Sequence, residues 1–225
     1  MINKIIEEIS KSNSLEILRK VNKIIPEKKF HEYTHILYDL RTILGEKEIN
    51  YLEIGSYVGS SASLILHHNF KSNIYCVDPL KINDKNRYKG NLNHEQTLKK
   101  NLEINNIHNN NIKILKYFSN DKNLHNEIKD LKIDILFIDG CHKYQSVIND
   151  FNNYKDKVNN GGFIIFDDYL DYKTCPEVKK AVDFIIENYN LDEYEIIGTL
   201  ENIQHVISNI PSNYSNEFIL YKKNK

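Results

Sequence analysis

Short apolar runs alternate with amphipathic stretches along most of the chain. The apolar runs cover 49–55, 73–79, 111–118 and 133–140, and a fifth run, GFIIFDD, follows a Gly-Gly pair at 161–162. Runs of about four to eight apolar residues bounded by turn signals are typical of buried strands. Strands that alternate with helical segments predict a parallel sheet with helices on both faces, which is an α/β fold.

Helices are predicted before and between these strands. Apolar residues at helical spacing predict a helical segment over 1–24 and a second helix from about His31 to Leu44. The strands are then separated by predicted helices at 60–69 and 94–105, and by another after the fourth strand. We therefore expect an N-terminal helical extension (1–47), followed by a single α/β domain (48–225).

The end of the chain has a different pattern. Thr174-x-x-Glu177 fits a capping box that would begin a helix reaching to about Tyr189. Strands are predicted next at 193–200 and 217–223, with 204–210 as a further candidate, and no helix separates them. A closing hairpin of this kind would add antiparallel strands at one edge of the sheet.

A glycine-rich turn, YLEIGSYVGSS, follows the first predicted strand and contains Glu53, Gly55 and Gly59. A backbone without Cβ lets a ligand approach closely, and the N–H groups of the following helix can bind an anion. Asp78 ends the next strand, 19 residues after Gly59, where an acid reaches ribose hydroxyls in dinucleotide-binding folds. The glycine spacing is E-x-G-x-x-x-G, whereas dinucleotide-binding sites prefer G-x-G-x-x-G. The wider turn of this chain, without the second glycine, fits a pyrophosphate poorly.

Two of the apolar runs end in acidic residues. FIDGCHKY places Asp139 and His142 after the fourth strand, and FIIFDDY places Asp167 and Asp168 after the fifth. Oxygen ligands without a soft donor suit magnesium or calcium, and a bound divalent cation lowers the pKa of a hydroxyl group. His142 is then placed to accept the proton of that hydroxyl as a general base.

These motifs resemble those of known enzymes. The glycine turn resembles motif I of class I S-adenosylmethionine-dependent methyltransferases. The blocks FIDGCHKY and GGFIIFDDY resemble those of the macrocin O-methyltransferase and cephalosporin-hydroxylase-like branch, over roughly residues 48–170. The resemblance implies a Rossmann-like sheet of seven strands whose last strand is antiparallel.

The resemblance also implies ligands for particular residues. The residues implied to bind S-adenosylmethionine are Glu53, Gly55, Ser56, Gly59, Ser61, Asp78, Ser119 and Asp139. Those implied to hold magnesium, or another divalent cation, are Asp139, Asp167 and Asp168. The chain departs from the family pattern after the third strand, because Phe118 stands where an acid is usual before Ser119.

The motifs together predict a metal-dependent O-methyltransferase. Its acceptor is expected to be a hydroxyl of a small molecule, and the resemblance favours a sugar or a glycosylated metabolite. A methyltransferase that needs no metal, an NAD-linked oxidoreductase and a cofactor-binding module without activity remain alternatives.

A competing motif lies in the second predicted helix. His31-Glu32-Tyr33-Thr34-His35 fits the H-E-x-x-H pattern of zinc peptidases. So short a pattern arises by chance in a chain with nine histidines, and no third histidine follows at the expected distance. We therefore expect a surface or lid helix here, with a histidine that faces the substrate as the alternative.

The composition narrows the partners. The 225 residues include 30 basic and 31 acidic side chains, and a net charge of −1 gives no electrostatic argument for nucleic acid. No apolar run reaches the roughly 18 residues of a membrane span.

The three cysteines have no zinc-binding spacing. They are expected to be free thiols in the cytoplasm, with Cys141 buried. Asp150 is expected to pair on a helix surface, and a homo-oligomer is compatible with the sequence.

Overall fold

A computed structural model describes residues 1–25, 32–80, 93–199 and 217–224. Its strands are β1 (Ile49–Ile54), β2 (Ser72–Val77), β3 (Asn111–Leu115), β4 (Ile133–Ile138), β5 (Val158–Phe166), β6 (Tyr194–Thr199) and β7 (Phe218–Lys222). Its α-helices are α1 (Ile2–Lys11), α2 (Ser14–Ile24), α3 (Ile36–Ile43), α4 (Ser60–Leu66), α5 (His94–Asn105), α6 (Lys122–Glu127), α7 (Tyr144–Tyr154) and α8 (Pro176–Asn188). The candidate strand at 204–210 lies outside the described residues.

The strands of the described chain form one seven-stranded sheet in the order β3-β2-β1-β4-β5-β7-β6. Strands β1 to β5 pair in parallel, whereas β7 is antiparallel to both β5 and β6. The predicted fold class, including the antiparallel last strand, is confirmed. The strand order reverses between β1 and β4, and a crevice for ligands forms at such a point outside the carboxyl ends of the strands.

Helices cover both faces of the sheet, as alternate side chains of the central strands require. Ile135 and Phe137 of β4 pack in a core with residues of α1 to α5. Leu136 and Ile138 point to the opposite core, which contains residues of α6, α7 and α8. All six residues of β4 are buried, which explains why its sequence is a continuous apolar run interrupted only by Asp134.

The N-terminal helices differ from the prediction in their boundaries. The segment 1–24 is two helices, since the chain leaves helical geometry at Ser12, whose hydroxyl accepts a hydrogen bond from the Ser14 N–H (3.0 Å). A 3-10 turn, Glu32–His35, precedes α3 in place of one long helix. Ile5, Leu18 and Leu37 are fully buried in the core on one face of the sheet. The N-terminal helices therefore pack against that face.

His31 of the H-E-x-x-H pattern lies outside the described residues. His35 is buried, and its Nδ1 lies 3.0 Å from both the Ser14 hydroxyl and the Asp39 Oδ2 atom. The Ser14 hydroxyl also donates to Asp39 Oδ2 (2.9 Å). His35 therefore connects the start of α2 to α3 inside the protein, and the predicted exposure of this segment is wrong at His35.

Two further predictions about element ends are wrong. β5 begins at Val158, three residues before Gly161, which adopts a left-handed φ of 81° within the strand. Glu177 does not close a capping box with Thr174, because its carboxylate accepts hydrogen bonds from Lys143 Nζ (2.7 Å) and the Tyr144 N–H (3.0 Å). Glu177 thus caps the N-terminus of α7 from the neighbouring helix α8.

The described helices are short, and the longest, α8, has 13 residues. None of them combines the length and the apolar character that a bilayer span requires.

Arg41 is a fully buried cation that holds the end of α3 against the sheet. Its guanidinium donates to the carbonyl oxygens of Gly45 (2.8 Å), Lys47 (2.9 Å) and Lys71 (2.9 Å) and to the Ser72 hydroxyl (3.0 Å). Burial lowers the pKa of Arg41 to about 10. One side chain therefore joins α3 to the segments that enter β1 and β2.

We expect Arg41→Met to lower the free energy of unfolding by about 3 kcal/mol, because three partly buried carbonyl groups and the buried Ser72 hydroxyl lose their donor. Urea denaturation followed by circular dichroism measures this loss. The exposed Arg19 provides the control, since Arg19→Met should change the same quantity by about 0.5 kcal/mol or less. Equal losses for the two variants would contradict the role assigned to Arg41.

Candidate active site

The glycine turn after β1 packs directly on the end of β4. Gly55 has a left-handed φ of 91°, and a Cβ at this position would lie 2.6 Å from the Asp139 carbonyl carbon and 2.8 Å from the Gly140 Cα atom. A Cβ on Gly59, at φ 80°, would lie 2.7 Å from a methyl group of Leu98 on α5. The glycines are required by backbone conformation and by contacts within the protein, a reason beyond the predicted approach of a ligand.

Glu53 lies beneath this turn and is fully buried. Its carboxylate accepts hydrogen bonds from the Tyr51 hydroxyl (3.0 Å) and from the Ser61 hydroxyl at the start of α4. Burial, together with the charge of Glu53, raises the pKa of Tyr51 well above its ordinary value. The structure thus brings Glu53 and Ser61 together and keeps a carboxylate between β1 and α4.

Asp78 joins the end of β2 to the glycine turn. Its carboxylate accepts hydrogen bonds from the N–H groups of Tyr57 (2.9 Å) and Leu80 (2.7 Å). Asp78 is 5% exposed, and its burial raises its pKa. The predicted pair of glycine turn and acidic strand end is therefore in direct contact.

A buried hydroxyl that the sequence analysis did not single out lies in the same turn. Ser60 is 2% exposed, and its Oγ makes no hydrogen bond to any residue that the structure describes. A buried hydroxyl without a protein partner fits a polar group of a bound ligand. Its position beside Ser61, directly after Gly59, is the signal that could have identified it.

Ser119 lies in the loop after β3, where α7 holds it in place. Its carbonyl oxygen accepts a hydrogen bond from the Tyr154 hydroxyl (2.7 Å). Asp150, one turn earlier on α7, is 2% exposed, and burial raises its pKa to about 6 although a hydrogen bond from Ser119 opposes the shift. The predicted surface pairing of Asp150 is wrong, and its helical spacing from Val147 and Tyr154 already placed it on the buried face.

Three acidic side chains meet at the carboxyl ends of β4 and β5. The Asp139 N–H donates to the Ile54 carbonyl (2.9 Å) and the Asp167 N–H to the Ile138 carbonyl (3.1 Å), so both residues continue the parallel ladder. Carboxylate oxygens of Asp139, Asp167 and Asp168 lie within 4.8 Å of one another. Oxygen donors this close, in largely buried side chains, fit a hard divalent cation.

His142 lies against the same carboxylates. Its Nε2 is 3.3 Å from Asp139 Oδ1 and 3.2 Å from Asp168 Oδ2. The side chain is 35% exposed, so the imidazole is reachable from solvent while it contacts two of the three acids. All four residues predicted for the chemical end of the sheet therefore lie in one cluster.

Cys175 adds a sulfur donor that the spacing did not indicate. Its thiol donates to Asp168 Oδ2 (3.3 Å), and burial raises its pKa to about 12. Cys141, expected to be buried, is exposed. Both cysteines line a cavity of about 490 Å³ together with His142 and Glu177. A sulfur donor therefore lies beside the acids, where the sequence had indicated oxygen ligands alone.

The family model described as a methyltransferase domain matches residues 52–169, which is more than half of the chain. The matched segment contains the glycine turn, Asp78 and the acidic ends of β4 and β5. The chain belongs to this methyltransferase family.

One relative in sequence and several solved structures are similar to the chain. The uncharacterized protein R132 of Acanthamoeba polyphaga mimivirus is 40% identical to the methyltransferase over 201 residues, which cover 85% of this chain and 87% of that protein. Among solved structures, an rRNA methylase from Streptococcus thermophilus has a TM-score of 0.59 at 13% identity, with 85% of this chain and 97% of that chain covered. An O-methyltransferase from Bacillus cereus, in complex with S-adenosylhomocysteine, has a TM-score of 0.58 at 16% identity, with 93% and 90% covered. Both structures share the fold of this chain. One is named as an rRNA methylase and the other as an O-methyltransferase, so the shared fold does not identify the acceptor.

The titration of Asp150 yields a test of the buried face of α7. Its pKa rises from 3.8 to about 6 on folding. The stability that this group contributes is therefore complete below about pH 4 and is lost as the pH rises through about 6. An asparagine side chain cannot ionise, so Asp150→Asn should be more stable than the parent protein at about pH 8, by about 3 kcal/mol.

Thermal unfolding at several pH values measures this difference, which should shrink toward about pH 4. The exposed Asp156 supplies the control, and Asp156→Asn should show no comparable pH-dependent difference. A stability difference between Asp150→Asn and the parent protein that stays constant with pH would contradict a buried carboxyl group with a raised pKa.

Proposed function

We propose that this methyltransferase transfers the methyl group of S-adenosylmethionine to a hydroxyl of a small molecule with the help of a divalent cation. The observation that carries the proposal is the cluster of Asp139, Asp167, Asp168 and His142, beside the glycine turn at the same edge of the sheet. The two halves of the crevice meet where Gly55 touches the Asp139–Gly140 backbone.

The cofactor half consists of the glycine turn and the strand ends around it. S-adenosylmethionine, when bound, supplies a methyl group on a positively charged sulfur. The predicted binding residues of this half are Glu53, Gly55, Ser56, Gly59, Ser61 and Asp78, with Ser119 on the side of β3. The buried carboxylates of Glu53 and Asp78 and the Ser60 hydroxyl suit a ligand that carries an ammonium group and ribose hydroxyls.

The acceptor half consists of the acidic strand ends. Asp139, Asp167 and Asp168 are the residues that would hold magnesium, and the ion lowers the pKa of an acceptor hydroxyl when it is bound. His142, whose Nε2 lies beside two of these carboxylates, would accept the hydroxyl proton as general base once the cation takes up those carboxylates. S-adenosylmethionine, when bound, would supply the methyl group to the deprotonated oxygen and would be left as the neutral thioether. Since the reacting atoms must be about 3 Å apart and aligned, the rigid contact between the two halves contributes by positioning.

A small-molecule acceptor agrees with the charge of the chain better than RNA does. The net charge is −1, whereas proteins that hold nucleic acid neutralise phosphates with an excess of basic residues. A sugar or glycosylated metabolite is favoured by the resemblance of FIDGCHKY and GGFIIFDDY to the macrocin O-methyltransferase branch.

The alternatives have weaker support. For an NAD-linked oxidoreductase, the chain lacks the close-spaced glycines that the pyrophosphate of the cofactor requires. A zinc peptidase would need His35, which instead contacts Ser14 and Asp39 inside the protein. A methyltransferase that works without metal is the strongest alternative, because the acidic cluster alone does not exclude it.

We expect His142→Ala to lower kcat by about 10²- to 10⁴-fold, the usual contribution of a general base, while leaving the affinity for S-adenosylhomocysteine unchanged. Calorimetric titration with S-adenosylhomocysteine in the presence of magnesium measures the affinity. His108→Ala is the matched control, because His108 lies in the loop that enters β3, at the opposite ends of the strands. If the parent protein does not bind S-adenosylhomocysteine in this titration, the proposed function is wrong.

Chelation should separate the metal-dependent mechanism from its alternative. With a radiolabelled methyl donor and a panel of sugars and nucleotide sugars, turnover should disappear in excess chelator and return when magnesium is added. Asp167→Asn should lower turnover and weaken magnesium binding, because it removes a charged ligand from the cluster. Turnover that persists unchanged in chelator would favour the metal-independent enzyme.

A further inference from the structure

We propose that His142, Asp168 and Cys175 form a second metal site, for a borderline cation such as Zn²⁺, which overlaps the acidic cluster at Asp168. The three residues offer one nitrogen, one oxygen and one sulfur atom, all within 4.8 Å of one another. Cys175 takes no part in the proposed methyl transfer, so this donor set is distinct from the three carboxylates of the hard-cation cluster.

The distances suit a tetrahedral ion. Asp168 Oδ2 lies 3.2 Å from His142 Nε2 and 3.3 Å from the Cys175 Sγ atom. Zinc bonds of about 2.0 Å to nitrogen or oxygen and about 2.3 Å to sulfur place neighbouring tetrahedral ligands about 3.3 to 3.7 Å apart. The His142 and Cys175 donor atoms lie within 4.8 Å of each other, so a movement of about 1 Å brings all three donors to the separations of a tetrahedral ion.

The donor chemistry sorts cations between the two overlapping sites. Imidazole and thiolate ligands favour zinc and its neighbours, whereas magnesium prefers carboxylate and water oxygens. When zinc binds, the thiol proton leaves to solvent and a Zn–S bond replaces the S–H···O hydrogen bond, without any change of oxidation state. Three protein ligands leave the fourth position open to water.

The backbone holds the thiol in place beside an accessible space. The Cys175 N–H donates to the Asp171 carbonyl (3.1 Å), and the Thr174 N–H donates to Asp171 Oδ1 (2.9 Å), so the turn before α8 is fixed. His142 and Cys175 both line the cavity of about 490 Å³, which gives an ion a route from solvent.

A consequence follows for activity, and this part rests on the proposed function. Zinc at this site would engage both the proposed base, His142, and a proposed magnesium ligand, Asp168. It should therefore block methyl transfer while leaving the affinity for S-adenosylhomocysteine unchanged, since the glycine turn contributes none of the three ligands.

The site can be tested by metal binding alone, without a methyl donor or an acceptor. Cobalt(II) serves as a spectroscopic probe, because a thiolate ligand produces an intense charge-transfer absorption in the near ultraviolet. Zinc affinity is measured by competition with a chromophoric chelator in excess magnesium. Cys175→Ser is compared with the control Cys141→Ser, whose thiol lines the same cavity but lies outside the three-ligand set. Thermal unfolding checks that both variants are folded, and His142→Ala gives an independent second variant.

We expect the parent protein and Cys141→Ser to bind one cobalt ion with the thiolate band, and Cys175→Ser to lack it. Zinc affinity should fall at least about 10- to 100-fold in Cys175→Ser and in His142→Ala, the range seen when even supporting residues of zinc sites are removed. A band that survives Cys175→Ser, a band lost in Cys141→Ser, or zinc that magnesium displaces equally from parent and Cys175→Ser would overturn the proposal. Because no turnover is measured, a failure here leaves the proposed methyl transfer untouched, and a failure of methyl transfer leaves this result interpretable.

Discussion

The contact between Gly55 and the Asp139–Gly140 backbone is the constraint on which the rest of the crevice depends. Any side chain at position 55 would overlap the main chain at the end of β4, and the left-handed φ at this residue also favours glycine. Because backbone touches backbone here, the turn after β1 and the acid at the end of β4 keep a fixed separation. The proposed cofactor half and acceptor half are thus parts of one rigid edge.

Electrostatic repulsion within the acidic cluster is the second determinant of the site. Two carboxylates no more than 4.8 Å apart repel by at least about 3 kcal/mol at an effective dielectric constant of about 20. The contacts of His142 with Asp139 and Asp168, and the hydrogen bond from Cys175, offset part of this cost. The left-handed backbone of Asp168, at φ 57°, adds a further cost. A bound cation would therefore stabilise this cluster, because its charge relieves the repulsion between the carboxylates.

Helices α7 and α8 position this edge from below. Glu177 of α8 caps α7, which begins two residues after His142, and Tyr154 and Asp150 of α7 hold the loop that contains Ser119. The candidate base and Ser119, a candidate cofactor-binding residue, are therefore attached to the same helix. Changes in the packing of α7 would move both together, which ties the geometry of the two halves to the core beneath them.

The sequence by itself determined the features that repeat locally along the chain. Alternating apolar runs and amphipathic stretches indicated the α/β sheet, and the acids at the strand ends had to meet because parallel strands share a carboxyl edge. Only the tertiary structure decided that Cys175 reaches Asp168, that Glu177 caps a neighbouring helix, that His35 is buried, and that Cys141 is exposed. The physical reason is that such contacts depend on how helices pack across the sheet and on the path of loops, and periodicity along one chain carries no information about either.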